Sequence, residues 1–266
     1  MTSLGLTFAD SGVVAKRNLI KIKRVPELLI WTTMSPIMFV LLFALVFGNA
    51  IEVPGVDYKE YLIAGIFAQT VLFGSTFTGA GLADDMTKGI IDRFRSLPMS
   101  RSAVLAGRTA SDIVYNMISI LVMTITGLIV GWRIHTGAIE AVGGFLLLLL
   151  FAYAVSWIMA FVGLKVSSVE VVQNASFMFI FPLTFIANTF VRQDLLPGPL
   201  RTFAEWNPVS AVAQGVREAF GNTGSLPEPD VWSLAHPVAY TLISSAVIMA
   251  IFIPLSVRQY RKATSR

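Results

Sequence analysis

The sequence predicts an all-α integral membrane protein with six transmembrane helices and both termini in the cytoplasm. Three observations predict it. Hydrophobic residues make up 55% of the 266 and charged residues only 14%, with a mean hydropathy of +0.71; a soluble domain carries about 25% charged residues. The apolar residues gather in six runs, each near the length of about 20 helical residues that crosses a hydrocarbon core of about 30 Å. The connections between runs are asymmetric: fifteen of the 20 Lys and Arg residues fall on one side and five on the other. The positive-inside rule makes the basic side cytoplasmic.

Residues 1–27 form a polar, basic segment before the first run. Thr7-Phe8-Ala9-Asp10 has the Ser/Thr-x-x-acid pattern that opens a helix. Lys16, Arg17, Lys21, Lys23 and Arg24 suit anionic headgroups, and Leu6, Ala9, Val13 and Ile20 give a thin apolar stripe, so an interfacial helix is expected here. The first span, Leu28–Phe47, exceeds the about 7–15 apolar residues of a signal peptide and is read as retained, although Gly48-Asn49-Ala50 resembles a cleavage site.

The second span, Tyr61–Ala83, carries the small residues Ala64, Ala68, Ser75 and Gly79, which permit close helix packing. The third, Ala103–Val130, holds Arg108, Ser111 and Asp112 in its first third, so its polar end is expected to project into water. The fourth is Val142–Leu164. The fifth, Val171–Phe190, contains Pro182, which removes a backbone hydrogen bond and kinks the helix amid Phe177, Phe179, Phe181 and Phe185. The sixth is Pro237–Val257. With no repeat, low-complexity segment or dividing linker, residues 1–266 read as one domain.

Two connections are more than turns. In the outer loop, 191–236, Asn207-Pro208 gives an N-cap with proline at the first helical position. Val209, Val212, Ala213, Val216 and Phe220 follow at helical spacing and Gly221 closes the element. This short apolar helix is expected to dip into the outer leaflet or pack on the spans. In the cytoplasmic loop, 84–101, Asp84 and Lys88 form an i,i+4 pair, and Ile90, Ile91, Phe94 and Leu97 make an apolar stripe rimmed by Lys88, Arg93 and Arg95. Leu97-Pro98 stops the helix and Ser100 caps the next. Such a stripe suits a groove on a partner protein.

The same residues exclude several chemistries. The net charge of +4 and pI near 9.5 follow membrane topology, so nucleic acid is not the expected partner. No cysteine is present, which removes disulfides and thiolate sites. His135 and His236 lack a ligand at the spacing of a metal motif, so neither metal nor catalytic residues are assigned. An intramembrane serine hydrolase is disfavoured because Phe73-Gly74-Ser75-Thr76-Phe77 is not a nucleophile elbow and no His falls mid-span. The chain carries no nucleotide-binding motif, so any ATP and its Mg²⁺ must sit on another subunit. Span centres are nearly free of charge and hold only mild polar residues: Gln69, Asn116, Ser119, Ser156, Asn174 and Ser176. That disfavours a proton-coupled carrier.

Four segments, in order, resemble the permease subunit of type-2 ABC exporters, in particular its daunorubicin-resistance-like drug permeases. They are Glu60-Tyr61-Leu62-Ile63-Ala64-Gly65-Ile66; Lys88 through Arg101; Pro182 with Leu196-Pro197 and Pro199; and Asn207-Pro208 with Arg217. The resemblance implies a half-transporter of a bacterial inner membrane, exporting hydrophobic drug-like or lipid-like substrates. Two permease chains, expected to be identical, would pair above two P-loop ATPase subunits. It implies that the 84–101 loop is a coupling helix seated on the ATPase through Asp84, Asp85, Lys88, Gly89, Ile90, Ile91, Arg93, Phe94, Arg95 and Leu97. Substrate would follow the dimer interface along spans two and five, giving Gln69, Phe73, Asn174, Phe177, Phe181 and Pro182 as path residues. The outer helix would be re-entrant, with Asn207, Pro208 and Arg217 at an outer gate. Family members often carry Glu where this chain has Asp84 or Asp85. The alternatives are a membrane scaffold that recruits a cytoplasmic partner without transport, and a carrier driven by an ion gradient.

Overall fold

The computed structural model describes residues 12–18, 20, 26–47, 53, 55–91, 101–166 and 168–263. Among these residues every regular element is helical. A helical segment over 12–18 is followed by α1 (Pro26–Leu41), which continues as a π-helical turn over Leu42–Phe47, then α2 (Tyr58–Thr87), α3 (Arg101–Val130), α4 (Ala138–Lys165) and α5 (Val169–Phe185). After a 3₁₀ turn at Gln193–Leu195 come α6 (Gly198–Trp206), α7 (Pro208–Phe220), α8 (Trp232–Ala235) and α9 (Pro237–Ala263). Four helices, α2, α3, α4 and α9, are long and apolar enough to cross a membrane. Apolar stretches within α1 and α5 are shorter, so the described residues hold four to six membrane-compatible helices.

The bundle is built around α2. It packs on α4 most extensively, and also on α3, α5 and α7. Of its apolar stretch 83% is buried, against 11% for the peripheral α9. A helix enclosed on all sides needs small residues where backbones approach, and α2 supplies them. A Cβ on Gly163 of α4 would lie 2.6 Å from the Gly79 Cα and closer still to its carbonyl oxygen. A Cβ on Gly65 would meet the Thr189 Cα at 2.7 Å. Ser75 donates across the α2–α4 seam to the Ala152 carbonyl at 3.0 Å. The packing expected of Ser75 and Gly79 is what the helices use.

Two apolar cores stack along the bundle. The larger joins α2, α4 and α7, with Phe67, Trp132 and Phe220 in mutual edge contact at 5.3–6.0 Å. The smaller gathers Leu82, Ile91, Val104, Leu105, Trp157, Leu164 and Tyr260 at the end where α2 and α9 finish.

Capping explains where helices begin and end. Asp57 accepts from the Lys59 amide at 2.9 Å, which starts α2 three residues before the expected Tyr61. Asn207 accepts from the Val209 amide at 3.0 Å, Pro208 occupies the first turn of α7, and Gly221 closes it at φ 71°. This helix matches the expected one residue for residue. The fifth span corrects the expectation: α5 stops at Phe185, not Phe190, and residues 186–190 are turns. α9 runs six residues beyond the expected Val257, to Ala263.

Near the N terminus, Val14 and Asn18 face the bundle while Val13 and Ile20 of the expected stripe face away from it. Thr7 to Asp10, Leu6, Lys21, Lys23 and Arg24 lie outside the described residues.

Candidate functional site

The expected path residues divide. Gln69, Phe73, Phe177 and Phe181 line one cavity of about 270 Å³ between α1, α2, α3 and α5, together with Phe39 and Tyr115. Phe177 and Phe181, one helical turn apart, stack at 5.0 Å between centroids. Asn174 and Pro182 are exposed and do not line this cavity: Asn174 lies one turn before Phe177, and Pro182 is rotated off the face. Gln69 is 4% exposed, and its amide oxygen accepts no hydrogen bond among the described residues. An unpaired buried amide carries a cost of about 1–3 kcal/mol, so this cavity has a polar demand within an aromatic wall.

At the end where α2 finishes, the polar loop starts differently from the expectation. Asp84 and Asp85 belong to the last turn of α2, which ends at Thr87. Gly89, at φ 63°, takes the left-handed conformation that ends a helix, and helical backbone resumes at Ile90. Asp85 is 5% exposed and accepts from Arg17 at 2.7 Å. It ties α2 to the 12–18 segment. Asp84 pairs with Lys88 at 2.8 Å; that hydrogen bond and the carboxylate charge hold the Lys88 ammonium above its ordinary pKa. Ile91, expected on the outward stripe, is buried in the chain's own smaller core. Arg93, Phe94, Arg95 and Leu97 lie outside the described residues.

A buried polar cluster beside this end was not foreseen. The first third of α3, expected to project into water, is instead packed on α2. Asp112 is 5% exposed and accepts from the Thr78 hydroxyl. Arg108 stands 3.9 Å from Asp112 and donates to the Phe77 carbonyl at 2.7 Å. Asn18 donates to Ser111 at 3.2 Å, and Asn116 donates to the Asp112 carbonyl at 3.0 Å. The sequence signal was present in the 108–112 grouping. Its burial depends on Gly81, where any Cβ would run into the Arg108 guanidinium.

At the opposite end Asn207 and Arg217 converge on the end of α5 and the chain that leaves it, while Pro208 sits in the first turn of α7. Asn207 donates to the Leu183 carbonyl at 2.8 Å. Arg217 is fully buried. Its guanidinium donates to the Tyr61 carbonyl at 2.8 Å and the Asn188 carbonyl at 2.5 Å, and lies 3.7 Å from the Tyr61 ring centre. Tyr61 and Tyr58 hydroxyls donate to the Asn188 and Phe190 carbonyls at 2.9 and 3.3 Å. The groups that α5 would have used in continuing go elsewhere: the Leu183 carbonyl accepts from Asn207 and the Asn188 amide donates to the Ser210 hydroxyl at 3.1 Å, so the helix stops early. His135 finds an acidic neighbour in space, Glu60 at 2.6 Å, but no cluster of three metal-ligating side chains exists among the described residues.

A family profile described as ABC-2 type transporter matches residues 11–220. The chain belongs to this family. It is therefore a membrane transport permease of the ATP-binding-cassette class. The match takes in every element from the 12–18 segment to the end of α7, including both polar clusters. Among similar proteins, the daunorubicin resistance ABC transporter permease protein DrrB1 of Streptomyces coeruleorubidus is 33% identical over 245 residues, 92% of this chain and 83% of that protein. The probable doxorubicin resistance ABC transporter permease protein DrrC of Mycobacterium tuberculosis is 24% identical over 231 residues, covering 86% and 80%. The inner membrane transport permease YadH of Escherichia coli is 21% identical over 219 residues, covering 78% and 82%.

Proposed function

We propose that this permease exports hydrophobic, drug-like molecules from a bacterial cell, powered by ATP hydrolysed on two P-loop subunits bound beneath a pair of identical permease chains. The six-span arrangement, with both termini and the 84–101 loop cytoplasmic, is part of this reading. The drug-resistance relatives support the substrate class. The observation that carries the coupling is the way α2 ends. Asp85 is engaged with Arg17 and Ile91 with the smaller core, so force applied to the loop reaches α2, α3, α4 and α9 directly.

The division of labour differs from ten residues all docking on the ATPase. Asp85 and Ile91 fasten the coupling segment to the spans, Gly89 supplies the turn, and Lys88, Ile90 and the 93–97 stretch meet the ATPase. Asn207, Pro208 and Arg217 anchor the re-entrant helix α7 that closes the outer end. Gln69, Phe73, Phe177 and Phe181 form the wall the substrate touches.

The test is a pull-down in mild detergent of the tagged chain co-expressed with its ATPase. The unaltered chain should retain the ATPase. Arg93→Glu with Phe94→Ala should reduce capture at least tenfold while the permease still purifies as a folded species. Unchanged capture by the double variant would move the docking surface away from this loop. No capture by either form, with the chain folded, would sink the ATP-driven reading.

A further inference from the structure

A separate cavity of about 430 Å³ opens between the ends of α4 and α9. Phe161 and Lys165 of α4 line it with Leu255, Arg258, Arg261 and Lys262 of α9. Among the described residues its lining holds four cations and no carboxylate. The packing of α9 explains how they meet. Tyr260 is buried in the smaller core, and Ser256, buried one turn earlier, donates to the Trp157 carbonyl of α4 at 3.1 Å. These two residues fix the rotation of α9, and the positions beside them fall at the cleft. Phe161 meets Phe252, a turn before Leu255, edge to face at 6.0 Å between centroids. The cleft therefore has an aromatic floor on the side of the spans.

Lys165 and Arg258 are exposed, and neither enters a hydrogen bond or an ion pair among the described residues. The Lys165 ammonium lies 5.4 Å from the Phe161 ring centre on its own helix, so its stem follows the apolar surface while its charge reaches the rim. On α9, Val247, Ile251, Leu255, Arg258 and Lys262 fall within about 80° of one another at 3.6 residues per turn. Val247 and Ile251 are exposed on the bundle, and in a bilayer that face meets acyl chains. One stripe therefore runs from lipid-facing aliphatics into two cations. A soluble polyanion or an acidic protein surface would use the cations alone; a lipid uses both parts, in this order. The volume of about 430 Å³ is many times a water's share of about 30 Å³ and admits a phosphodiester headgroup.

We propose that the cleft between α4 and α9 binds an anionic phospholipid. Its phosphodiester sits between Lys165 and Arg258, with Arg261 and Lys262 adding charge at the rim, and its acyl chains lie along Leu255, Ile251 and Val247. Basic pockets between membrane helices suit such headgroups. Ser256 and Tyr260 fasten α9 to the bundle beside the cleft, so a bound lipid braces the smaller core that also holds Ile91. The assignment stands apart from the export reading and needs only that α9 lies in the bilayer.

The experiment uses the full chain in a non-ionic detergent, with native mass spectrometry reading the bound lipid. The probes are dioleoylphosphatidylglycerol and dioleoylphosphatidylcholine, which share acyl chains and a phosphodiester and differ in net charge. The unaltered chain should prefer the glycerol lipid by at least about tenfold. Lys165→Gln with Arg258→Gln should weaken the glycerol lipid by at least about tenfold and leave the choline lipid unchanged, whereas Lys165→Arg with Arg258→Lys should retain it. Lys16→Gln with Lys59→Gln removes the same charge away from the cleft and should change neither lipid. Equal binding of the two lipids by the unaltered chain, or an equal loss in the two glutamine double variants, overturns the site. Soluble glycerophosphoglycerol, the headgroup without chains, should fail to displace the lipid at equal concentration; displacement would leave an anion site without the stripe and overturns the lipid assignment. Capture of the ATPase by the Lys165→Gln, Arg258→Gln chain should be unaltered. Loss of the ATPase with lipid binding intact would make the cleft a protein contact and overturns the lipid site as well.

Discussion

Replacing Arg217 by alanine should cost the folded chain about 3 kcal/mol, the loss expected when buried carbonyls lose charged donors. The guanidinium holds Tyr61 in α2 to Asn188 in the turn after α5, and its flat face covers the Tyr61 ring. No carboxylate faces it in the described hydrogen bonds and ion pairs; its charge rests on carbonyl dipoles and a π face. Alanine would strip the Tyr61 carbonyl of the donor it has beyond its own helix, and the Asn188 carbonyl of one of its two donors. Arg217→Lys should recover little, because a point ammonium lacks the planar fork that reaches two carbonyls while stacking. Tyr61→Phe removes only one hydroxyl donor to Asn188 and should cost about 1 kcal/mol. The midpoint of thermal unfolding of detergent-purified protein orders the three. An Arg217→Ala midpoint matching the unaltered chain would show that this connection does not hold the fold.

Gly163→Ala should destabilise by a similar amount, about 3 kcal/mol, at the upper end for overpacking. The added methyl would meet backbone, not the end of a flexible side chain: the Gly79 Cα at 2.6 Å and its carbonyl nearer still. Backbone atoms cannot rotate away, so α2 and α4 must separate, and the Ser75 bond to Ala152 in the same seam weakens with them. Gly143, on the same helix, is the control, since a Cβ there meets nothing within 4 Å. Gly143→Ala should be neutral or stabilising by up to about 1 kcal/mol through helix propensity. Equal effects at the two glycines would mean that the close approach carries no energy.

What the sequence made legible follows from the range of the forces involved. The α7 helix was readable to the residue because Asn207, Pro208 and Gly221 act within a few positions of themselves. The long apolar helices were readable within a few residues because hydropathy is a sum over a window. The end of α5 was not. Residues 186–190 remain apolar enough to continue, but the Leu183 carbonyl goes to Asn207 and the Asn188 amide to Ser210, both beyond the reach of any local pattern. Arg217 itself was counted among the outer charges, because nothing local distinguishes a cation facing water from one facing carbonyls. In the candidate path, Phe177 and Phe181 share a helical face and reach the cavity with Gln69 and Phe73. Pro182, one residue on, turns about 100° away from it. The buried Arg108–Asp112 group was visible as residues but not as a site, since its enclosure needs Gly81 and Thr78 from another helix.

The Gly79–Gly163 approach has a mechanical meaning. Two backbones touch there with no side chain at Gly79 or Gly163 between them, so the contact itself resists compression, while the Ser75 bond to Ala152 one turn away must strain when the helices rock. From Gly79 to Thr87 is about 12 Å of helix, and from Gly79 back to Tyr58 about 32 Å, at about 1.5 Å per residue. As a rigid rod on that fulcrum, α2 is a lever with unequal arms. A shift of about 1 Å at its Thr87 tip, where Asp85 and the turn at Gly89 are fastened, becomes about 2.6-fold larger at Tyr58 and about twofold larger at Tyr61 by the same rise per residue.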